Sequence, residues 1–196
     1  MKKVFCILTA VLLMLLTASC SGGDNELLEK IMPGEEAFAE AKNSNAVIFN
    51  GAVNVSGREI WDSFCADVEE GKKSEVLCAT YYDLSPEEIE HLVPTPSEEE
   101  IASYPHLFFT LLKYDGRKFS FSTRMSSEKE PDSEGKFAYM LHFTGDMPEQ
   151  ASYDRYEYYV LTDDPDVKWD DIEFGMYSSM SENYIPHKTV FSDLYN

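Results

Sequence analysis

The side chains able to do acid–base, nucleophilic or metal chemistry are four histidines, four cysteines and a large pool of acids, with 36 Asp and Glu against 16 Lys and Arg. His91, His106, His142 and His187 are scattered. They show neither the His-Glu-x-x-His spacing of a zinc hydrolase nor a short Cys/His repeat. His91 closes a helical pattern, where a cation suits the helix dipole, and His187 follows a proline. His106 and His142 fall on strand patterns that can be neighbours, which leaves a His106/His142 pair open, although nothing in the sequence demands it. Each histidine by itself reads as structural. Asp163, Asp164 and Asp166 bracket Pro165 just before Asp170, Asp171 and Glu173. They make a weak calcium candidate, because that hard ion wants about six to eight oxygens and this spacing lacks the central Gly of a calcium loop. The simpler reading is an acidic helix entrance. Glycoside hydrolysis needs two carboxylates about 5–10 Å apart, and no pair stands out among so many acids.

Other chemistries are excluded more firmly. Gly71-Lys72-Lys73-Ser74 has the tail of a phosphate-binding loop, but the glycine required five residues before the Gly-Lys pair is Ala66. No Gly-x-Gly-x-x-Gly and no Gly-x-Ser-x-Gly occurs. No cofactor is indicated. A formal charge of −20 excludes nucleic-acid binding, which draws its affinity from cations neutralising phosphates. Hydrophobic residues at 43% and aromatics at 13% are enough for a folded core.

Recognition is the remaining possibility. Tyr153, Tyr156, Tyr158 and Tyr159 form the candidate binding surface, since Tyr brings apolar area with a polar tip. Alternation puts Tyr156 and Tyr158 on one face with Val160, and Tyr153 and Tyr159 on the other with Leu161. Cys65 on a helix and Cys78 on the returning strand reach comparable heights and form a possible disulfide. Burial as two small hydrophobes is the alternative.

These residues need a scaffold. Ser56-Gly57-Arg58-Glu59 has capping-box spacing, and Ile60, Trp61, Phe64, Cys65 and Val68 make one apolar stripe, so a helix spans about 57–70 with Gly71 as its left-handed terminator. Strands are expected at Ala46–Phe49 and Val76–Tyr82, and short helices open at Ser85 and Ser97. Asp115-Gly116 reads as a two-residue hairpin loop that pairs Leu112 with Phe119 and Thr110 with Phe121. Residues 126–135 read as a loop. Phe137 to Phe143, Tyr156–Leu161 and Thr189–Leu194 supply further strands, with a second helix at about 168–178. The fold class is α+β, with a mainly antiparallel sheet of about five to six strands and two principal helices.

The first twenty residues carry an address. Lys2-Lys3, the apolar run Val4–Leu16 and the small residues Ala18-Ser19 before Cys20 resemble a bacterial lipoprotein signal with its lipobox. That resemblance implies cleavage before Cys20 and a diacylglyceryl group on its sulfur. The expected organisation is a signal peptide at 1–19, a lipidated linker with partial helix at 20–44, and one domain at 45–196. Ser56–Asp62, Tyr81-Tyr82-Asp83-Leu84 and Val167–Ser179 are similar to recurring segments of uncharacterised small exported proteins of Gram-positive bacteria. The expectation is a protein held by lipid at the outer face of the cell membrane, a non-catalytic binding domain whose acidity suits a cationic protein or peptide partner. A small surface hydrolase and a structural envelope protein stay open as alternatives.

Overall fold

The structure, a computed structural model, describes residues 27–84, 89, 94, 97–177 and 184–196. Cys20, His91 and the helix expected from Ser85 to Leu92 lie outside the described residues or are only fragmentarily within them. The described elements are α1 (Gly34–Ala41), β1 (Ala46–Asn50), β2 (Val53–Ser56), α2 (Arg58–Glu69), β3 (Ser74–Tyr82), α3 (Glu98–Ser103), β4 (His106–Tyr114), β5 (Phe119–Met125), β6 (Ser133–Phe137), β7 (Tyr139–Asp146), β8 (Arg155–Thr162), α4 (Trp169–Tyr177) and β9 (His187–Tyr195). Among the described residues no helix is long and apolar enough to cross a membrane.

The fold is α+β, but its strands form two sheets. The larger has the order β2-β1-β3-β4-β5-β6, and the smaller β7-β8-β9. The two principal helices expected at about 57–70 and 168–178 are α2 and α4, but the expectation of one mainly antiparallel sheet of about five to six strands is corrected to two sheets. The large sheet is mixed, because β1 runs parallel to β3. A parallel neighbour needs a crossover, and β2 with α2 supplies it. Ala46, Val47, Ile48 and Phe49 are all buried, as a strand covered on both faces must be. The strand expected from Phe137 to Phe143 is split between the sheets: Phe137 ends β6, and β7 begins at Tyr139. The Ala138 N–H between them donates to Asp163 Oδ1 at 2.8 Å. Residues 133–135, expected in a loop, belong to β6 and form the sheet's edge.

Local chemistry corrects two further details. The Ser56–Glu59 capping box is not made. Gly57 is the N-cap at φ +80, with no side-chain cap. A Cβ there would come within 2.6 Å of the Ala46 carbonyl oxygen, so the chain can turn into α2 against β1 only with glycine. The β4–β5 hairpin pairs Leu112 with Phe121 and Thr110 with Thr123, two residues from the expected register. Asp115 Oδ1 accepts the Arg117 and Lys118 amides at 2.8 and 2.9 Å, which closes a wider loop. A slip of two leaves every side chain on its expected face.

Each face of the large sheet has its own core. On one, Val47, Phe49, Val76, Cys78, Leu112, Phe119 and Phe121 meet Trp61 and Phe64 of α2 and Leu161, Val190 and Phe191 of the small sheet. On the other, Ile48, Leu77, Ala79, Leu107 and Phe109 meet Leu27, Met32, Ala37 and Ala41. From Leu27 onward the segment expected as linker is therefore part of the core. Arg124 of β5 fastens it. Its buried guanidinium donates to the carbonyls of Leu27, Lys30, Met125, Ser126 and Glu128. A third cluster, Val160, Val167 and Ile172, seals α4 against the outer face of the small sheet.

Candidate functional site

Two places gather polar groups inside this frame. The first lies where α2 crosses the small sheet. Odd-numbered residues of β8 face inward, so Glu157 shares a face with Tyr159 and Leu161 and is carried into the core. Arg58, in the first turn of α2, meets it with both ends of its fork: Nη1 donates to Oε2 at 2.6 Å and Nη2 to Oε1 at 3.0 Å. The Arg58 Nε donates to Asp62 at 2.9 Å. The His142 Nε2 lies 2.8 Å from Glu157 Oε1, and since an ionised carboxylate only accepts, the ring nitrogen carries the proton. Burial alone would push the Glu157 carboxyl up, but the hydrogen bonds and charge of Arg58, aided by His142, hold it below its ordinary range. The same pairing raises Arg58 far above its ordinary value. Asp193, across from Glu157 on β9, accepts the Asn54 amide at 3.1 Å, and burial pushes its carboxyl up.

Both Glu157 oxygens are engaged. His142 stacks on Tyr159 with ring centroids 4.2 Å apart, and Tyr159 packs edge-on against Trp61. The adjoining Cys65 is no nucleophile, because burial pushes its thiol up to about 12. The cluster's effect is to clamp α2 to the small sheet.

The second place is a cavity of about 560 Å³ between the two sheets. From the large sheet come Phe49 of β1, Cys78, Thr80 and Tyr82 of β3, Phe108 and Thr110 of β4, and Thr123 of β5. Across from them runs β9 from Lys188 to Ser192. The gap exists because β9 is irregular: Tyr159 pairs with Phe191 but Val160 with Thr189, so Val190 is the extra residue of a bulge. Consecutive Val190 and Phe191 both turn inward and prop the sheets apart beside the opening. Thr110 and Thr123 are buried, and their hydroxyls lie 3.0 Å apart. One hydroxyl donates to the other, and the acceptor of that bond keeps a proton to give. Lys188 Nζ sits 5.3 Å from the Phe121 ring centre, and burial lowers its pKa. Asp132 stands at the rim, where its Oδ2 accepts the Met125 amide at 2.7 Å.

The residues singled out in the sequence are dispersed. Tyr156 and Tyr158 stack on each other and on Trp169, which places them beneath α4. Tyr159 lies in the first core. Tyr153 is near Val55 and Tyr82, at a separate shallow depression. Cys65 and Cys78 are both free thiols, so the possible disulfide is not made. The Cys65 thiol is set beside Tyr159, while the Cys78 Sγ donates to the Val190 carbonyl at 3.8 Å. Asp163 accepts the distant Ala138 amide, and Asp164 accepts the amide of Asp166 in a local turn. Among the described residues no group of three or more His, Cys, Asp or Glu side chains is placed to hold a metal. His106 and His142 stand in different sheets and do not pair. His106 contacts Ser103 and Tyr104, and His187 its neighbour's carbonyl at Ile185.

The chain matches no known family model, and neither a curated protein nor a solved structure is significantly similar to it.

Glu157, Arg58, Lys188 and the Thr110/Thr123 pair were not singled out in the sequence. One signal was available: Glu157 is a carboxylate in phase with Tyr159 and Leu161 on an otherwise apolar strand, and a charge at a core position requires a partner. Lys188 carried none, since the strand bulge that gives it a cavity has no sequence signature here.

Proposed function

We propose that this chain is a lipid-anchored, extracytoplasmic, non-catalytic binding domain that takes a small molecule between its two sheets. The observation that carries it is the cavity with its convergent hydroxyls and a lysine on walls of Phe49, Phe108 and Phe191. Mostly apolar clefts of about 300–1,000 Å³ with a few placed polar groups are the usual form of small-molecule sites. The lipobox-like sequence ending at Cys20 supports the anchor. About two acyl chains suffice for durable attachment, since each buried CH₂ contributes about 0.8 kcal/mol. The acidic surface then keeps the domain off an anionic membrane.

The test has two arms on the full-length protein. The wild type should fractionate with membranes and incorporate labelled fatty acid, and Cys20→Ala should do neither. In a thermal-shift screen against a small-molecule library, ligands should raise the melting temperature of the wild type. They should not raise that of Thr80→Tyr, whose larger side chain fills the cavity from a strand position that tolerates Tyr. Membrane retention of Cys20→Ala ends the anchor proposal. Ligand shifts identical in the two cavity forms end the binding proposal.

A further inference from the structure

The cations of this fold are met in different ways. Arg58 has Glu157 and Asp62. Arg124 has five carbonyls. Lys30, Lys72 and Lys113 are paired with Glu40, Glu70 and Glu75. Lys188 is half-buried in the cavity wall, and among the described residues its ammonium meets the face of Phe121 but no carboxylate. Phe121 and Thr123 are two residues apart on β5 and share a face, and Lys188, Thr110 and Thr123 all line the cavity. The ammonium, and the hydroxyl proton of the Thr110/Thr123 pair that has no acceptor among the described residues, are both donors. Donors converging without an acceptor call for a ligand that brings one, because an unmet buried polar group costs free energy.

We infer that the cavity binds a small organic carboxylate, its charged end set on Lys188 and the Thr110/Thr123 hydroxyls and its apolar body on Phe49, Phe108, Val190 and Phe191. This rests on the cavity being a binding site, as proposed above. A single negative charge is the match. One lysine supplies one positive charge, and among the described residues neither an Arg fork nor a helix start lines the cavity, as phosphate sites ordinarily require. Among the described residues Asp132 is the only carboxylate of the lining; it is exposed at the rim, its Oδ2 accepts the Met125 amide, and it makes no ion pair with Lys188. The overall charge of −20 does not bar an anion. Exposed charges are screened beyond about 8 Å at physiological ionic strength, and the charge nearest the buried end of the site is positive.

The test titrates the full chain, purified from membranes in a non-ionic detergent, by calorimetry against micelle blanks. The probes are 3-phenylpropionate, its uncharged counterpart 3-phenylpropanamide, and inorganic phosphate. The acid should bind at least about tenfold more tightly than the amide, the ratio of one charge-assisted hydrogen bond, and phosphate more weakly than either. Lys188→Met should abolish the preference for the acid by weakening acid binding far more than amide binding, and Lys188→Arg should restore part of it. Amide binding equal to acid binding, indifferent to Lys188→Met, overturns the carboxylate assignment and leaves the cavity a binding site. Tighter binding of phosphate overturns it in favour of an inorganic anion. If no probe binds and the Thr80→Tyr screen is also flat, the binding-site proposal falls with it.

Discussion

The Arg58–Glu157–His142 cluster, built from α2, β7 and β8, and the Lys188 cavity, built from the large sheet and β9, both border Phe191, yet they treat charge in opposite ways. At the cluster the buried carboxylate is met inside the protein: a forked guanidinium holds both its oxygens and an imidazole fixes one of them. At the cavity a lysine and a threonine pair keep donors to spare among the described residues. A charge whose partners come with the chain fastens the fold, whereas one whose partner is missing is costly to the fold and useful only toward something else. Charge alone, or burial alone, would not separate the two regions.

The largest effect should come from the closed region. Trp61 is fully buried and stacks on Phe191 at 4.8 Å, joining α2 to the small sheet. Trp61→Ala should lower unfolding free energy by about 4 kcal/mol in denaturant titration, the usual cost of emptying a large aromatic site. A loss below about 1 kcal/mol would mean that the sheets do not rely on this contact. Next comes the clamp. Glu157→Gln should cost about 2 kcal/mol, because it leaves Arg58 half-matched, with the figure held down by the part of Arg58 that water still reaches. If Glu157→Gln is neutral, the clamp is no firmer than a surface ion pair.

Acid should sharpen the contrast. The Glu157 carboxyl is depressed in the folded protein, against burial, by Arg58 and His142. Its contribution is therefore fully present above its ordinary value near 4.5 and is lost as pH falls through the lower folded value. In Glu157→Gln that acid loss should be shallower than in the wild type, by circular dichroism melts across the acid range. Asp193, raised by burial, acts in the opposite direction and should remain in both forms. The smallest effect belongs to the cavity. Lys188→Met should leave stability unchanged or raise it by about 0.5–1 kcal/mol, since a desolvated ammonium is exchanged for an apolar chain. The folded value of Lys188 is lowered, so the wild type should recover this difference as pH rises toward 10.5. A clear loss of stability in Lys188→Met would make the lysine structural and remove the contrast.

Some of this was written locally. The α2 stripe of Ile60, Trp61, Phe64, Cys65 and Val68 faces the core as its spacing predicts, because helical periodicity is a property of a dozen consecutive residues. Gly71 adopts φ +68 just past the helix for an equally local reason, its freedom from a Cβ. The alternation of β8 correctly separates Tyr156 and Tyr158 from Tyr159, since a strand's period is two whatever it packs against. The hairpin shows the boundary of such inference: faces were legible and register was not, because Asp115's bonds to two amides outrank the tight Asp-Gly turn.

What only the tertiary structure decided is which residues from distant strands meet. Arg58 and Glu157 are 99 positions apart, and their fork closes only once α2 is laid across the small sheet. The division of one apolar stretch at Ala138 into two sheets depends on Asp163, which arrives from the far end of β8. The cavity depends on the bulge at Val190 and on Thr110 and Thr123 lying across a β4–β5 register set by its own loop. By itself the sequence determined helix faces, strand alternation and the acidic balance, all of which follow from near neighbours or composition. Pairings, sheet membership and the site lay beyond it, because they are set by which alternatives bury best in three dimensions, and short-range spacing carries no term for that.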